Sequence, residues 1–77
     1  MMLKEFEQVA LTVDLPDFGF VAGDVGTVVD ITTNGKQITL EFFNFAGQTV
    51  AVIPVSIESV RLLNTHEIIH ARTVKSA

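Results

Sequence analysis

An Asn34-Gly35 pair lies between two runs rich in β-branched and apolar residues, 26–32 and 37–43. Asn-Gly favours the type I′ turn of a two-residue hairpin, because both central residues of that turn need a positive φ. Alternate residues of the second run are apolar, which is the period of a strand with one buried face. The sequence therefore predicts an antiparallel hairpin that turns at residues 34–35.

Three further segments are predicted to be strands, since they are apolar and bounded by turn residues. They are residues 9–15, 48–53 and 60–63. Pro16 and Pro54 are predicted to end the first two, because proline cannot donate to a β-ladder. A short 3₁₀ turn is expected over 56–59, before the last strand. Five short strands with tight turns predict a small all-β barrel, and closure removes exposed sheet edges.

The length of 77 residues is enough for one domain and too short for two. We expect an SH3-like β-barrel over residues 1–63, its strands lying between Phe6 and Leu63, and a C-terminal tail over 64–77. Thr65 is a candidate cap for a short tail helix. Its apolar side would hold Ile68, Ile69, Ala71 and Val74. An extended or partly disordered tail is the alternative, because isolated helices of this length are marginal.

Cysteine is absent, which excludes disulfides, cysteine-ligated zinc, thiol nucleophiles and iron–sulfur clusters. Small secreted domains are usually stapled by disulfides, so a reducing compartment is favoured. The N-terminus does not look like a signal peptide, and the longest uncharged run, 42–57, is too short and too broken to span a bilayer. We expect a cytoplasmic protein with no membrane contact.

The net charge is −4, and an acidic surface repels phosphate. Binding to nucleic acid is therefore disfavoured, whereas a basic protein partner is compatible with this charge. Three glycines at 19, 23 and 26 lack the lysine and helix of a phosphate-binding loop. We interpret Gly23 and Gly26 as a turn that leads into a strand, and the aspartates nearby as solvated charges.

The segment His66-Glu67-Ile68-Ile69-His70 matches H-E-x-x-H, which on a helix can bind zinc beside a general base. A catalytic zinc needs a third protein ligand, and residues 71–77 contain none. We therefore expect no metal site and no cofactor here, with weak binding by His66 and His70 as the alternative.

Four phenylalanines lie outside the predicted core stripe of the barrel. Phe18 and Phe20 flank a loop glycine, Phe43 points away from the core face of its strand, and Phe45 lies in a turn. Some of them can cap the open ends of a barrel. Four exceed what a monomer of this size needs, and a cluster of exposed aromatics is typical of an interface.

Two stretches of the chain carry a resemblance to a known family. The first runs from Val9 to Val29 and contains Leu15-Pro16 and Gly23-Asp24-Val25-Gly26-Thr27-Val28. The second runs from Leu40 to Ala51 and contains Glu41-Phe42 and Gly47-Gln48-Thr49. Together they resemble the bacterial family known as domain of unknown function 4926, over about residues 6–63. This resemblance implies an SH3-like barrel with no assigned activity, and no site residue can be carried over. The tail from Asn64 onward departs from the family pattern.

We predict a non-enzymatic protein-interaction module that binds a protein partner or associates with itself. The resemblance implies a partner encoded nearby, in a role similar to a toxin–antitoxin pair. A nucleic-acid-binding barrel and a zinc-dependent hydrolase built on residues 66–70 are the alternatives. The residues predicted to bind a partner are Phe18, Phe20, Phe43, Phe45, Ile68 and Ile69.

Overall fold

A computed structural model describes residues 3–74, which form one antiparallel sheet of five strands. The strands are β1 Gln8–Leu11, β2 Val25–Ile31, β3 Gln37–Phe43, β4 Thr49–Ser56 and β5 Val60–Leu62. Their order across the sheet is β4-β3-β2-β1-β5. Two 3₁₀ turns, Pro16–Phe18 and Ile57–Ser59, are the only helical segments in residues 3–74, so none there is long enough to cross a membrane. The prediction of a small all-β domain is confirmed.

The β2–β3 connection turns at the predicted place but in a different geometry. The loop covers residues 33–36, because the Thr32 N–H donates to the Gln37 carbonyl oxygen at 2.9 Å. Gly35 has a φ of 71°, whereas Asn34 keeps a negative φ, so the predicted type I′ turn is wrong. The Asn34 side chain accepts hydrogen bonds from the Thr32 hydroxyl and the Lys36 N–H instead. Asparagine therefore stabilises this turn through its amide oxygen rather than through its backbone.

Strand β4 continues through Pro54 to Ser56, although proline was expected to end it. Pro54 is paired with Thr39 of β3. β4 lies at one end of the strand order, so one of its sides faces no other strand. A proline nitrogen is tolerated there because that edge requires no donor. The prediction that Pro54 limits the strand was therefore wrong for a topological reason.

Strand β1 ends at Leu11, four residues before the predicted end at residue 15. The backbone beyond it is diverted to other partners: Thr12 N–H donates to the Ser59 carbonyl at 2.8 Å. The Leu11 carbonyl itself accepts from the N–H of Gly23, also at 2.8 Å. The long β1–β2 loop therefore closes back on the end of β1 and ends the strand before Pro16 is reached.

The core takes side chains from every strand of the sheet. Its buried members are Val9, Leu11, Phe20, Val28, Ile38, Leu40, Phe42, Ile53, Val55 and Val60. The predicted alternation holds in β3, where Ile38, Leu40 and Phe42 are all buried. No buried polar or charged residue interrupts the core in the described part of the chain. Apolar burial is therefore the main stabilising term of the domain.

The tail forms no helix between residues 64 and 74. It makes one turn, in which Glu67 N–H donates to the Asn64 carbonyl at 3.2 Å, and then runs on without regular structure. The Asn64 side chain accepts from the His66 N–H, so Asn64 rather than Thr65 orders this turn. The predicted short tail helix is therefore absent from residues 64–74, and these residues form no strand either. Residues 75–77 lie outside the described part of the chain.

Candidate functional site: an apolar groove beside the tail

An open groove of about 480 Å³ lies between the tail and the end of the β3–β4 hairpin. Its apolar lining comes from three places in the chain and includes Phe42, Phe43, Phe45, Val50, Ile69 and Val74. Phe20 of the β1–β2 loop and Val25 of β2 supply the third place, and Gln8 of β1 adds a polar side chain to the lining. The groove thus brings together residues more than forty positions apart, and we call it the tail groove.

Two exposed aromatic side chains form one wall of the tail groove. Phe43 is the last residue of β3 and, as the period of the strand predicts, it points away from the core and is 47% exposed. Phe45 lies in the β3–β4 turn and its side chain is fully exposed. That turn is rigid, since Gly47 N–H donates to the Asn44 carbonyl and Asn44 pairs with Gln48. The aromatic side chains are therefore held on an ordered support.

A β-bulge in β4 adds Val50 to the same wall. Phe42 pairs with Ala51 and Phe43 pairs with Thr49, so Val50 has no partner on β3. A bulge bends its strand and redirects a side chain. Val50 is 36% exposed and lines the tail groove. Nothing in the alternation of the sequence predicted this residue as part of a site.

Phe20 differs from its prediction, because it is buried and 3% exposed. The 3₁₀ turn Pro16–Phe18 and the left-handed Gly19, with a φ of 78°, reverse the chain. A backbone bridge between Leu15 and Phe20 then directs the ring of Phe20 inward against the core. Phe20 therefore supports the floor of the tail groove and is not an exposed interface residue.

The other predicted residues divide between the groove and its surroundings. Phe18 is 51% exposed but lies outside the groove lining. Ile69 lines the groove and is 65% exposed. Ile68 is 93% exposed and borders a smaller cleft beside Ala10. Phe43, Phe45 and Ile69 are thus the exposed members of the predicted set that the fold brings together.

The tail wall of the groove is fixed at Arg72. The Arg72 guanidinium donates from Nε to Asp24 Oδ1 at 2.7 Å, and its Nη2 bonds both Asp24 Oδ2 and the Gly19 carbonyl oxygen. Partial burial raises the pKa of Asp24, but hydrogen bonds from Arg72 and from Val21 N–H outweigh it and leave that pKa lowered. Asp24 is therefore held as a carboxylate, and it pins the tail against the β1–β2 loop.

A second ion pair fixes the start of the tail. Arg61 of β5 donates to both carboxylate oxygens of Glu67, at 2.8 and 2.7 Å. The backbone N–H of Asn64 also donates to Glu67 Oε1. The hydrogen bonds from Arg61 and then from Asn64 lower the pKa of Glu67 to about 2. The H-E-x-x-H glutamate is thus bound to an arginine, and a paired carboxylate is a poor general base.

The two histidines of that segment do not lie on a helical face. Residues 66–70 run from a turn into chain without regular structure, so the helical spacing that would bring the two imidazoles to one side is absent. Among residues 3–74, no group of three or more His, Asp or Glu side chains could hold a metal ion. Both histidines are exposed, and His70 borders the tail groove.

The charge of the tail groove is close to balanced. Asp24 and Arg72 both line it, and they neutralise each other. Asn44 and Thr27 supply hydrogen-bonding groups among the apolar side chains. Such a lining suits the burial of apolar side chains of a ligand, with a few polar groups to orient it.

Comparison with known proteins identifies the family of the domain but assigns it no activity. No curated protein and no solved structure matches the chain. A family model described as "Domain of unknown function (DUF4926)" matches residues 5–62, which hold all five strands. The match covers the β1–β2 loop and the phenylalanine wall of the groove, and it stops before the tail. The chain belongs to the family of this domain of unknown function.

Proposed function

We propose that this protein is a protein-interaction module that binds a protein partner at the tail groove. One observation carries the proposal: Phe43, Phe45 and Ile69, from two distant parts of the chain, present exposed apolar surface around one groove. Exposed aromatic residues beside a concave surface are the side chains that most often dominate binding energy at protein interfaces. The module uses no cofactor and performs no reaction of its own.

The charges of the chain favour a protein over a nucleic acid as the partner. The chain has two arginines, Arg61 and Arg72, and both are engaged in internal ion pairs. Phosphate recognition relies on arginine and lysine side chains that face the ligand. With a net charge of −4, the module presents a surface that attracts basic partners.

We further propose that the five-stranded sheet is an SH3-like barrel, open at the outer edge of β4, that works in the cytoplasm. The strand order β4-β3-β2-β1-β5 and the 3₁₀ turn between β4 and β5 support the first part by analogy of fold. The absence of cysteine supports a reducing compartment.

Site-specific photo-crosslinking tests the interaction in cells that express the protein. A photoreactive phenylalanine analogue at position 45 is expected to capture one dominant protein, because residue 45 faces the groove. The same analogue at position 18 is the matched control, since Phe18 is exposed but outside the groove. Mass spectrometry of the crosslinked band then identifies the partner.

A second measurement links capture to the groove itself. Phe43→Ser is expected to reduce the yield of the position-45 crosslink at least fivefold, whereas Phe18→Ser leaves it unchanged. Urea unfolding confirms that both variants remain folded. Equal labelling from positions 18 and 45, or no crosslink from position 45, would contradict the proposal.

A further inference from the structure

The acceptor site for Arg72 is assembled by the β1–β2 loop without help from the tail. Val21 N–H donates to Asp24 Oδ2 at 2.8 Å, and Asp24 N–H donates to the Val21 carbonyl. The Asp24 carbonyl in turn accepts from Leu11 N–H at 2.9 Å. These bonds lie within the loop and β1, so they hold the Asp24 carboxylate through contacts that do not involve the tail. The two carboxylate oxygens of Asp24 and the carbonyl oxygen of Gly19 together accept hydrogen bonds from one arginine guanidinium.

The donor and the acceptors belong to different parts of the chain. Gly19, Val21 and Asp24 lie inside the segment that matches the family model, residues 5–62. Arg72 lies beyond it, in the tail. The domain therefore carries a site for a guanidinium, and in this chain the tail fills that site.

The tail places an apolar side chain two residues after this arginine. Val74 follows two residues later and packs against the core cluster. Arg72 and Val74 both line the tail groove, as do Ala71 and Ile69 of the same segment. The tail is thus held against the domain through one arginine and one branched apolar side chain.

We propose that the tail occupies the binding site of the partner, and that the partner binds through a segment with an arginine followed two residues later by a branched apolar residue. This inference rests on the proposed function and specifies its partner, which binds the Phe43 and Phe45 wall of the groove and takes the place of the tail wall that holds Ile69. The partner's arginine takes the place of Arg72 on Asp24 and Gly19, and its apolar residue replaces Val74. Charge complementarity selects the arginine, because Asp24 is a partly buried carboxylate that needs a cationic partner.

Competition with the tail sets the affinity of this partner. A segment tethered by a short linker has an effective concentration in the millimolar range. To displace the tail, a partner must therefore have a ratio of concentration to dissociation constant that exceeds the same ratio for the tethered tail. Releasing the tail is expected to strengthen binding of any segment that uses the same site.

A fluorescently labelled peptide with the sequence of residues 64–74 is the probe. Its fluorescence anisotropy is measured with the full-length wild-type chain and with full-length Arg72→Ala, whose own tail has lost its anchor. We expect the peptide to bind Arg72→Ala at least tenfold more tightly than the wild-type chain. A peptide with alanine in place of the arginine is expected to lose at least tenfold in affinity for Arg72→Ala.

Full-length Asp24→Asn provides the matched control, because it also releases the tail but removes the acceptor charge. We expect no measurable binding of the peptide to Asp24→Asn. Circular dichroism shows whether that variant folds, and the alanine peptide keeps the test decisive if it does not. Equal binding of the peptide by wild type and Arg72→Ala would overturn the inference, as would no binding by Arg72→Ala at 1 mM peptide.

Two further results separate this inference from the proposed function. Light scattering that shows a wild-type dimer joined by exchanged tails would overturn the inference, since the occupant would be a second copy of the chain. A dominant crosslink from position 45 to a protein that still binds Asp24→Asn with unchanged yield would also overturn it. In that case the groove would remain an interaction site with a different recognition chemistry.

Discussion

The rings of Phe20 and Phe42 are stacked, with centroids 4.1 Å apart and planes inclined by 19°. Phe20 comes from the β1–β2 loop and Phe42 from β3, so this contact ties the longest loop of the domain to an interior strand of the sheet. Both rings are 3% exposed. The loop that carries Asp24 is thereby part of the core rather than an appendage to it.

Replacing Phe20 should therefore destabilise the whole domain. We expect Phe20→Leu to lower the free energy of unfolding by about 1–3 kcal/mol, through lost stacking and a poorly filled core. The matched control is Phe18→Leu, on the same loop but exposed, which should change stability by less than about 0.5 kcal/mol. Urea unfolding followed by circular dichroism measures both. Similar losses for the two variants would contradict the assignment of Phe20 to the core.

Gly26 is the residue of β2 that makes room for this pair. A Cβ placed there would lie 3.1 and 3.2 Å from ring carbons of Phe42 and 3.4 Å from Leu40 Cβ. Gly26→Ala should therefore lower the free energy of unfolding by about 1–3 kcal/mol, because the Phe42 ring must move within a filled core. A double-mutant cycle with Phe42→Leu measures the coupling. Additive effects of the two substitutions would show that the ring contact is not the cause.

The Arg61–Glu67 pair makes the attachment of the tail dependent on pH. The folded pKa of Glu67 is about 2, against an ordinary value of 4.5. Since the folded pKa is the lower one, the stabilisation is complete above pH 4.5 and is lost as the pH falls toward 2. NMR titration of the Glu67 carboxyl carbon should show this low pKa. In Arg61→Ala the pKa should rise toward its ordinary value, while Arg72→Ala, which acts on Asp24, should leave it unchanged.

The outer edge of β4 is a second exposed apolar feature of the domain. Thr49–Ser56 contains no charged residue, and Val52 is 54% exposed on this terminal strand. Exposed uncharged edges pair with other chains, and a lysine usually blocks such pairing. We expect Val52→Lys to slow aggregation in concentrated solution, as followed by light scattering. Thr33→Lys adds the same charge in the β2–β3 turn, and it should have no comparable effect.

Much of the sheet could be predicted from local patterns. The period of two over residues 37–43 and the turn residues at 34–35 and 44–47 locate β2, β3 and β4, because these elements are neighbours in sequence. The extension of β4 past Pro54 could not be predicted in this way. It depends on β4 being an edge, and the strand order is a property of the complete fold.

The site was predicted less completely, for a similar reason. Phe43 and Phe45 were found because their exposure follows from the strand period and the turn. The burial of Phe20 depends on Gly19 reversing the loop, and the position of Val50 depends on a bulge, neither of which alternation detects. The course of the tail is set by two arginines that reach carboxylates, and Asp24 lies 48 residues from Arg72. Pairing over such distances leaves no periodic signal in a single sequence.

The turn at Asn64–Glu67 and the ion pair of Glu67 limit how far the rest of the tail can reach when it is released. With Arg61 still holding Glu67, loss of the Arg72 contact frees only residues 68–74 of the described chain. Arg72 itself lies only about five residues beyond Glu67, a distance of at most about 18 Å when the chain is fully extended, whereas the molecule measures 33 Å along its longest axis. A released Arg72 therefore stays on the side of the domain on which it was bound. Recapture of Arg72 by the β1–β2 loop is then a local event.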